Sequence, residues 1–392
     1  MKRFVVIIVF VLCSSCGLGQ LEVGTHSGSD GIWRGPSYGK HMSGTVYAVG
    51  VDYPDGYDWR ADVEKESVRS SLVMFADGIP VLKLPAGDKS EISSDNSRYR
   101  LRDGYLYTDY TDGTVTVLKQ DGIEIARYEG SEEILCLEVY DGIVYTISSP
   151  GSGTGFRYRA DGNLILDKPE GIPFLHLDEY ADSIRFFFTQ TQKTASGPEV
   201  RYYQVTDGTV RKVEVDADIS KVWDMKVVDG RNSVVGTSAD GRLLLVNENG
   251  KEYLGNIPGK DVVSCTFLDS ECLSVCVRRR YSGDNLMADV IWMGPGKSVM
   301  YRIGSTLSSI FVDKDGCNGV INPANGREGV IFSGNTANAM PSGYGVYSKD
   351  CMVRRDSVLY VALSSTGCDR PVIWKDGSLD TLNINGPLTC LR

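Results

Sequence analysis

Short apolar segments separated by polar two-residue turns recur along most of the chain. In the commonest arrangement an apolar segment runs into Asp followed by Gly or Ser, and a second apolar segment follows directly, as in ILCLEVYDGIVYTI around Asp141. Alternation of apolar and polar positions over about four to eight residues predicts a half-buried β-strand. The pattern returns at intervals of 38 to 47 residues, at Asp103, Asp141, Asp182, Asp229, Asp269, Asp315 and Asp356.

A second hairpin pattern interleaves with the first at the same period. Here Asp-Gly or Asn-Gly joins two further apolar segments, a strong local hairpin signal because both central residues of the turn need positive φ. These turns begin at Asp77, Asp121, Asp161, Asp207, Asn249 and Asp376, with Pro295-Gly296 in the corresponding place of another unit. Each period therefore holds four antiparallel strands, which is the content of a β-propeller blade. A β-sandwich or an open array of sheets is the alternative.

The two ends of the repeated region complement each other. The first unit starts at residues 44–47 with the segment that follows a turn, and the strand that should precede this turn is missing there. Residues 388–391 (LTCL) match the missing strand, and a C-terminal strand in that place would remove an exposed sheet edge. We therefore expect an all-β, closed β-propeller of four-stranded antiparallel blades over residues 44–392. The units predict eight blades, or seven if residues 307–343 are an insertion.

The start of the chain has the pattern of an export signal. Lys2 and Arg3 precede an unbroken apolar run over residues 4–12, which is too short to span a bilayer. Ser14-Ser15-Cys16 resembles the lipobox of bacterial lipoproteins, although Cys13 stands where an aliphatic residue is usual. The resemblance implies loss of residues 1–15 and a lipid on Cys16 that holds the protein to a membrane; an ordinary secretory signal is the alternative. The Gly- and Ser-rich residues 16–43 predict a flexible tether.

The repeats resemble those of extracytoplasmic propeller lipoproteins from Bacteroidetes-type bacteria, whose units carry a Trp-Lys-Asn/Asp-Gly turn. Trp374-Lys375-Asp376-Gly377 reproduces that turn fully, and the other units keep mainly the Gly. The resemblance covers residues 44–392. It implies a propeller fold and a lipid-anchored location at the outer membrane or cell surface, and it implies no particular activity.

Charge and composition narrow the functional classes. A formal net charge of -10 argues against nucleic acid as a partner, because phosphate binding needs a positive field. The chain has only three histidines, so few side chains are available for His-based acid–base catalysis or metal binding. We therefore expect no cofactor and no metal. One Asp-rich loop could offer the oxygen ligands that calcium needs, through Asp52, Asp55, Asp58 and Asp62. The spacing of these residues does not match the EF-hand calcium loop and favours a solvated loop.

The cysteines beyond Cys16 permit disulfides in an exported protein, since their number is even. Their spacing shows no CxxC pair of the zinc type, and Cys is also a small core residue. We therefore expect most of them to pack in the core.

The long connections between strands offer the candidate binding residues. Both Asp-Gly turns of a predicted blade fall on one side of the disc, whereas longer and more variable loops lie on the other, where binding usually resides. Two of these loops suit a polar, ring-shaped ligand through Tyr57 and Trp59 in one, and Arg279 and Tyr281 in the other. We therefore expect a monomeric binding module for a glycan, peptide or protein partner, with no catalytic residue assigned. A carbohydrate-active hydrolase or lyase and a scaffold subunit without a ligand are the alternatives.

Overall fold

A computed structural model of the chain is all-β. It describes residues 32–35, 38, 44–59, 70–85, 99–151, 154–195, 197–228, 230–258, 261–267, 273–280, 286–294, 297–303, 307–313, 316–323, 328–333, 336–348, 350–367 and 369–392. The predicted signal peptide (residues 1–15) and Cys16 lie outside these ranges. Among the residues described, no helix is long and apolar enough to cross a membrane.

The strands of the described residues form eight antiparallel sheets that follow one another along the chain. Sheet 1 contains β1 (Trp33–Arg34), β2 (Tyr47–Asp52), β3 (Ser71–Ala76) and β4 (Ile79–Pro85), and sheet 2 contains β5 (Tyr99–Arg102), β6 (Tyr105–Thr111), β7 (Val115–Gln120) and β8 (Ile123–Glu129). Sheet 3 contains β9 (Glu132–Tyr140), β10 (Ile143–Pro150), β11 (Phe156–Ala160) and β12 (Asn163–Lys168). Sheet 4 contains β13 (Ile172–Pro173), β14 (Asp178–Tyr180), β15 (Ser183–Thr194), β16 (Gly197–Thr206) and β17 (Thr209–Val213). Sheet 5 contains β18 (Ile219–Val228), β19 (Arg231–Ser238), β20 (Arg242–Asn247) and β21 (Gly250–Pro258), and sheet 6 contains β22 (Val262–Phe267), β23 (Leu273–Arg280), β24 (Leu286–Gly294) and β25 (Lys297–Ile303). Sheet 7 contains β26 (Leu307–Asp313), β27 (Gly316–Ile321), β28 (Val330–Ser333) and β29 (Thr336–Ala339). Sheet 8 contains β30 (Tyr344–Gly345), β31 (Met352–Arg355), β32 (Val358–Ser365), β33 (Val372–Lys375) and β34 (Ser378–Thr381). A last strand, β35 (Leu388–Leu391), returns to sheet 1.

Each sheet has the antiparallel four-strand order of a propeller blade. In sheets 2, 3, 5, 6 and 7 the strands are hydrogen-bonded in chain order, and in sheets 4 and 8 two short strands share the first position. In sheet 1 the first position is filled by β35, which pairs with β2 through Val49 and Cys390. The backbones of Tyr47 and Arg392 add two hydrogen bonds of 2.7 and 2.9 Å. This pairing agrees with the complementary segments at the two ends of the repeats.

The core lies between neighbouring sheets rather than within any one of them. Buried apolar clusters join sheet 1 to 2, 2 to 3, 3 to 4, 4 to 5 and 5 to 6 in chain order. Another cluster joins sheets 7 and 8 to sheet 1, where Val320, Val361 and Val46 belong to one set with Leu388 and Leu391 of β35. Sheets 1 to 6 therefore pack in chain order, and sheets 7 and 8 pack together with sheet 1.

The Asp that starts the turn between the third and fourth strands of a sheet has a structural role. It takes φ between 41° and 50° in five sheets, where the following Gly also has positive φ. Its carboxylate accepts a backbone N–H from the start of the second strand of the same sheet, at 2.8 to 3.2 Å. The pairs are Val46 and Asp77, Leu106 and Asp121, Val144 and Asp161, Ile184 and Asp207, and Leu359 and Asp376. Both hairpin turns of a sheet thus meet at one end, which we call the turn face; the opposite end is the loop face.

The folded region begins earlier than the sequence predicted. Trp33 and Arg34, within the expected tether of residues 16–43, pair as β1 with the outer strand β4. Ile32 is buried and packs over the turn of sheet 2, where a Cβ on Gly122 would lie 2.6 Å from its Cδ1. The boundary placed at residue 44 is therefore too late, because a Gly-rich segment with a single apolar anchor gives no periodic signal.

The irregular unit at residues 307–343 is a sheet of its own. Four strands, β26 to β29, pair there in chain order. The segment that looked irregular in the sequence contains the short strands β28 and β29, of four residues each.

The described cysteines bear out the prediction of core packing. Cys136, Cys265 and Cys390 are free thiols, and they and Cys351 are all buried. Burial raises the pKa of Cys136 and Cys390 to about 12. These thiols are therefore protonated packing groups in the folded protein.

Candidate functional site

An aromatic cluster lies on the loop face where sheets 1 and 8 meet. Tyr53, Tyr57 and Trp59 follow β2, and Tyr347 follows β30 in sheet 8. The rings of Tyr53 and Tyr57 are 5.3 Å apart, and those of Trp59 and Tyr347 are 5.2 Å apart in an edge-to-face arrangement. Such pairs are favourable because the positive ring edge meets the negative ring face. The cluster therefore joins two loops that are far apart in sequence.

Backbone hydrogen bonds fix the loop that carries Tyr57 and Trp59. The side-chain amide of Asn385 donates to the carbonyl oxygens of Pro54 (2.8 Å) and Tyr57 (3.1 Å). The Asn385 backbone N–H donates to Asp52 Oδ1 at 3.0 Å, and Tyr53 N–H donates to the Asn385 carbonyl at 3.0 Å. The segment that leads into β35 thus holds this loop, so the aromatic cluster depends on the position of β35.

The cluster combines polar tips with apolar ring faces. Tyr347 is 40% exposed, and Tyr57 and Trp59 are half-buried. Burial, with a smaller contribution from the neighbouring Tyr57, raises the pKa of Tyr53, which keeps its hydroxyl protonated. Such a surface can stack on a flat ring and donate hydrogen bonds at its rim.

Two of the four predicted binding residues, Tyr57 and Trp59, belong to this cluster. Arg279 lies in β23 of sheet 6, where its backbone is opposite Met287, whereas the cluster is carried by sheets 1 and 8. Tyr281 falls outside the described residues. Tyr57 and Trp59 are adjacent to each other, but their ring partners are Tyr53 and Tyr347. The two tyrosines were missed because neither stands in a sequence motif.

The acidic loop offers no assembled cation site in the described residues. Asp52 accepts from Lys83 Nζ at 2.8 Å and from the Asn385 backbone, so both of its oxygens are engaged. Asp62 lies outside the described ranges. No group of three or more potential metal-ligating side chains occurs among the residues described.

A His–Asp pair links sheets 4, 5 and 6. His176 Nε2 is 2.8 Å from Asp224 Oδ2, which also accepts from Thr266 Oγ1 (2.8 Å) and from the Phe267 backbone (2.9 Å). Met225 N–H donates to Asp224 Oδ1. Both residues interrupt regular pairing: Asp224 stands at a register shift, and four residues between β13 and β14 oppose two of β15. The buried carboxylate is saturated, so its role is to tie sheets 4, 5 and 6 together.

A second buried polar network lies between sheets 2 and 3. Glu132 accepts from Arg159 at 2.6 and 2.8 Å, from Ser148 at 2.6 Å and from Arg157. Burial acts to raise the pKa of Glu132, but the hydrogen bonds from Arg159, Ser148 and Arg157 outweigh it and hold this pKa below its usual value. The Arg159 guanidinium also lies 4.1 Å from the centre of the Tyr128 ring. This carboxylate is ionised and fully occupied, which suits a structural clasp rather than an acid catalyst.

Comparison with known proteins shows no family for the chain. No protein-family model matches it, and no curated protein matches it. Among solved structures it is similar to the β-propeller domain of the Trilobed protease from Pyrococcus furiosus, at 11% identity over 87% of this chain and 96% of that one, with a TM-score of 0.43. It is also similar to the dihydro-heme d1 dehydrogenase NirN (13% identity, 88% and 74%, TM-score 0.45) and to TolB from Acinetobacter baumannii (14%, 88% and 82%, TM-score 0.32). These similarities are too low to support any inference about function.

Proposed function

We propose that the eight sheets close into an eight-bladed β-propeller, and that this propeller is a ligand-binding module of the cell envelope. Support for closure comes from β35, which fills the missing first position of sheet 1 and packs with Val46, Val320 and Val361 of sheets 1, 7 and 8. Closing the sheet array leaves no inner edge open to another chain. The binding surface that this arrangement creates is the loop face at the junction of sheets 8 and 1.

The aromatic pair of Trp59 and Tyr347 is the observation that carries the binding proposal. The pair is partly exposed, it joins two loops, and the hydrogen bonds of Asn385 hold one of those loops in place. Rigid aromatic side chains supply contact area at low cost in conformational entropy. A polar, ring-shaped ligand such as an oligosaccharide, whose sugar rings present a face of C–H groups to an aromatic ring, fits this surface best. A role for Arg279 and Tyr281 stays a prediction from the sequence.

A lipid on Cys16 would place this module at the outer membrane or the cell surface. The support is the order of charged, apolar and small residues that ends in Ser14-Ser15-Cys16. Mass spectrometry of the N-terminal peptide from the native host tests this step directly. An acylated Cys16 agrees with the proposal, and an unmodified N-terminus at another residue contradicts it.

Calorimetric titration with maltohexaose, cellohexaose and an oligogalacturonate tests the binding surface. For any oligosaccharide that binds, we expect Trp59→Ala and Tyr347→Ala each to weaken the affinity about tenfold, which is about 1.4 kcal/mol. The matched control is Lys375→Ala, because Lys375 lies at the turn face and contacts the Tyr360 ring. Loss of affinity in the control together with normal affinity in both aromatic variants would place the site on the wrong face.

A further inference from the structure

The outer strands of sheets 2 and 3 expose a group of large aliphatic side chains. Ile123 and Ile125 in β8 are 56% and 37% exposed, and Leu164 in β12 is 53% exposed. The two strands are neighbours at the edge of the molecule, since a Cβ on Gly162, just before β12, would lie 2.8 Å from the Ala126 Cβ of β8. We call Ile123, Ile125 and Leu164 the aliphatic rim. Exposed aliphatic side chains on an outer strand are an aggregation hazard unless something covers them.

The same positions in the next two sheets carry charges instead. Ile125 is the fourth residue after the turn residue Asp121, and the fourth residue after Asp207 in sheet 4 is the exposed Arg211. In sheet 5 the outer strand β21 begins with Gly250 and continues with exposed Lys and Glu. The blade repeat therefore does not require an aliphatic residue here. Exposed aliphatic side chains also occur on the outer strands of sheets 1 and 8, at Ile79 (60%) and Leu379 (44%), and sheets 2 and 3 carry the largest group.

The first described residues of the chain lie at the edge of this rim. Ile32 packs over Gly122, which directly precedes Ile123, and the Tyr38 hydroxyl donates to Asp121 Oδ2 at 2.7 Å. Ile32 and Tyr38 thus both lie at the seam between sheets 1 and 2. Fifteen residues lie between positions 16 and 32, which makes sixteen Cα–Cα steps. A lipid on Cys16 can therefore lie at most about 58 Å from this seam even with the chain fully extended.

We propose that the aliphatic rim lies against the lipid bilayer, so that the propeller stands on the membrane by its edge at sheets 2 and 3. The inference rests on the proposed lipid on Cys16. An anchor at the seam brings this part of the edge to the membrane at high effective concentration. Exposed Ile and Leu side chains then enter the interface between headgroups and acyl chains, where their transfer from water is favourable. The loop face is left open to ligands because it is at an end of the blades rather than at their edge.

Fluorescence quenching by brominated lipids tests this orientation. The full chain is produced in a host that acylates lipoproteins and is reconstituted in phosphatidylethanolamine vesicles with dibrominated acyl chains. The variants are Ile125→Trp and the matched Arg211→Trp, both at the fourth position after the turn Asp of an outer strand. Each spectrum is compared with that of the unsubstituted protein, which has five Trp. Mass spectrometry of the same samples records whether Cys16 is acylated.

We expect the added emission of Ile125→Trp to shift to the blue and to be quenched, and that of Arg211→Trp to be unaffected. If the protein is acylated and neither variant is quenched, or both are, the edge-on orientation is wrong and the lipoprotein proposal is unaffected. A rim covered by a protein partner would leave both variants unquenched. A protein without a lipid on Cys16 contradicts the lipoprotein proposal itself. Quenching of Ile125→Trp in such a protein would show that the rim binds lipid without the anchor.

Discussion

Removing one buried side chain from β35 should destabilise the whole propeller. Leu391 is completely buried, and it shares a cluster with residues of sheets 1, 7 and 8, including Val46, Leu359 and Val361. Its backbone N–H donates to the Asp350 carbonyl at 2.6 Å, which fixes the strand between sheet 8 and sheet 1. In Leu391→Ala the strand can still form its hydrogen bonds, so the variant measures packing at the closure alone.

The expected cost follows from the buried volume that is lost. Leu→Ala removes three carbon atoms, and at about 0.8 kcal/mol for each buried methylene the transfer contribution is about 2.4 kcal/mol. Leu391 is enclosed by several sheets, so the cavity cannot collapse freely. Cavity formation then brings the total to about 3–4 kcal/mol, within the range of about 2–5 kcal/mol measured for such substitutions.

Urea unfolding followed by circular dichroism measures this loss. Leu379→Ala is the matched control, because Leu379 lies in the outer strand β34 and is 44% exposed. We expect the control to change the free energy of unfolding by less than about 0.5 kcal/mol. If Leu391→Ala and Leu379→Ala unfold at the same urea concentration with equal slopes, Leu391 is not packed between the sheets and the argument for closure is wrong.

Three further substitutions or labelling experiments test the internal contacts. Asp121→Ala should lower the free energy of unfolding by about 1–3 kcal/mol, because Leu106 N–H loses its acceptor. Asp121→Asn should retain most of the stability, and equal losses in the two variants would contradict the role of the Asp121 side chain as that acceptor. Glu132→Gln should cost about 3–5 kcal/mol at neutral pH. Since the folded pKa of Glu132 lies below its unfolded value, its stabilisation is present above the usual Glu pKa and disappears as the pH falls through the folded pKa; the variant and the parent should therefore converge in acid, and a constant difference would refute the ion pair. Iodoacetamide at pH 8 should leave Cys136 and Cys390 unlabelled in the folded protein, and rapid labelling would contradict their burial.

The repeat was predictable from sequence because its signals are local. An Asp-Gly pair needs no distant partner to adopt positive φ, so each hairpin can be recognised from a window of about ten residues. The role of the Asp carboxylate was not predictable in the same way, since Asp121 accepts from Leu106, which belongs to a different hairpin of the sheet. The regularity of these Asp residues was visible, but the hydrogen bond appears only once the sheet is assembled.

The candidate site depends on contacts between distant parts of the chain. Trp59 meets Tyr347, and Asn385 holds the loop of Tyr57 across more than three hundred residues. Sequence reasoning selected Tyr57 and Trp59 from the composition of their loop, and it could not know which neighbouring loop would supply their partners. The same reason explains Asp224, whose contacts come from strands of three sheets.

The pairing of β35 with β2 in sheet 1 underlies both the proposed ring closure and the proposed site, and a disulfide between these two strands tests the account most directly. Val49 lies opposite Cys390 in the ladder between β2 and β35. The Cα atoms of opposed residues in an antiparallel ladder are about 4.5–5.5 Å apart, within the range that a disulfide spans. The measurement is peptide mass spectrometry of the oxidised Val49→Cys variant, with Ala48→Cys as control because Ala48 lies opposite Leu391. We predict a disulfide to Cys390 in the first variant and none in the second. No link in either variant, or a link from Ala48→Cys alone, would contradict the pairing that closes the propeller.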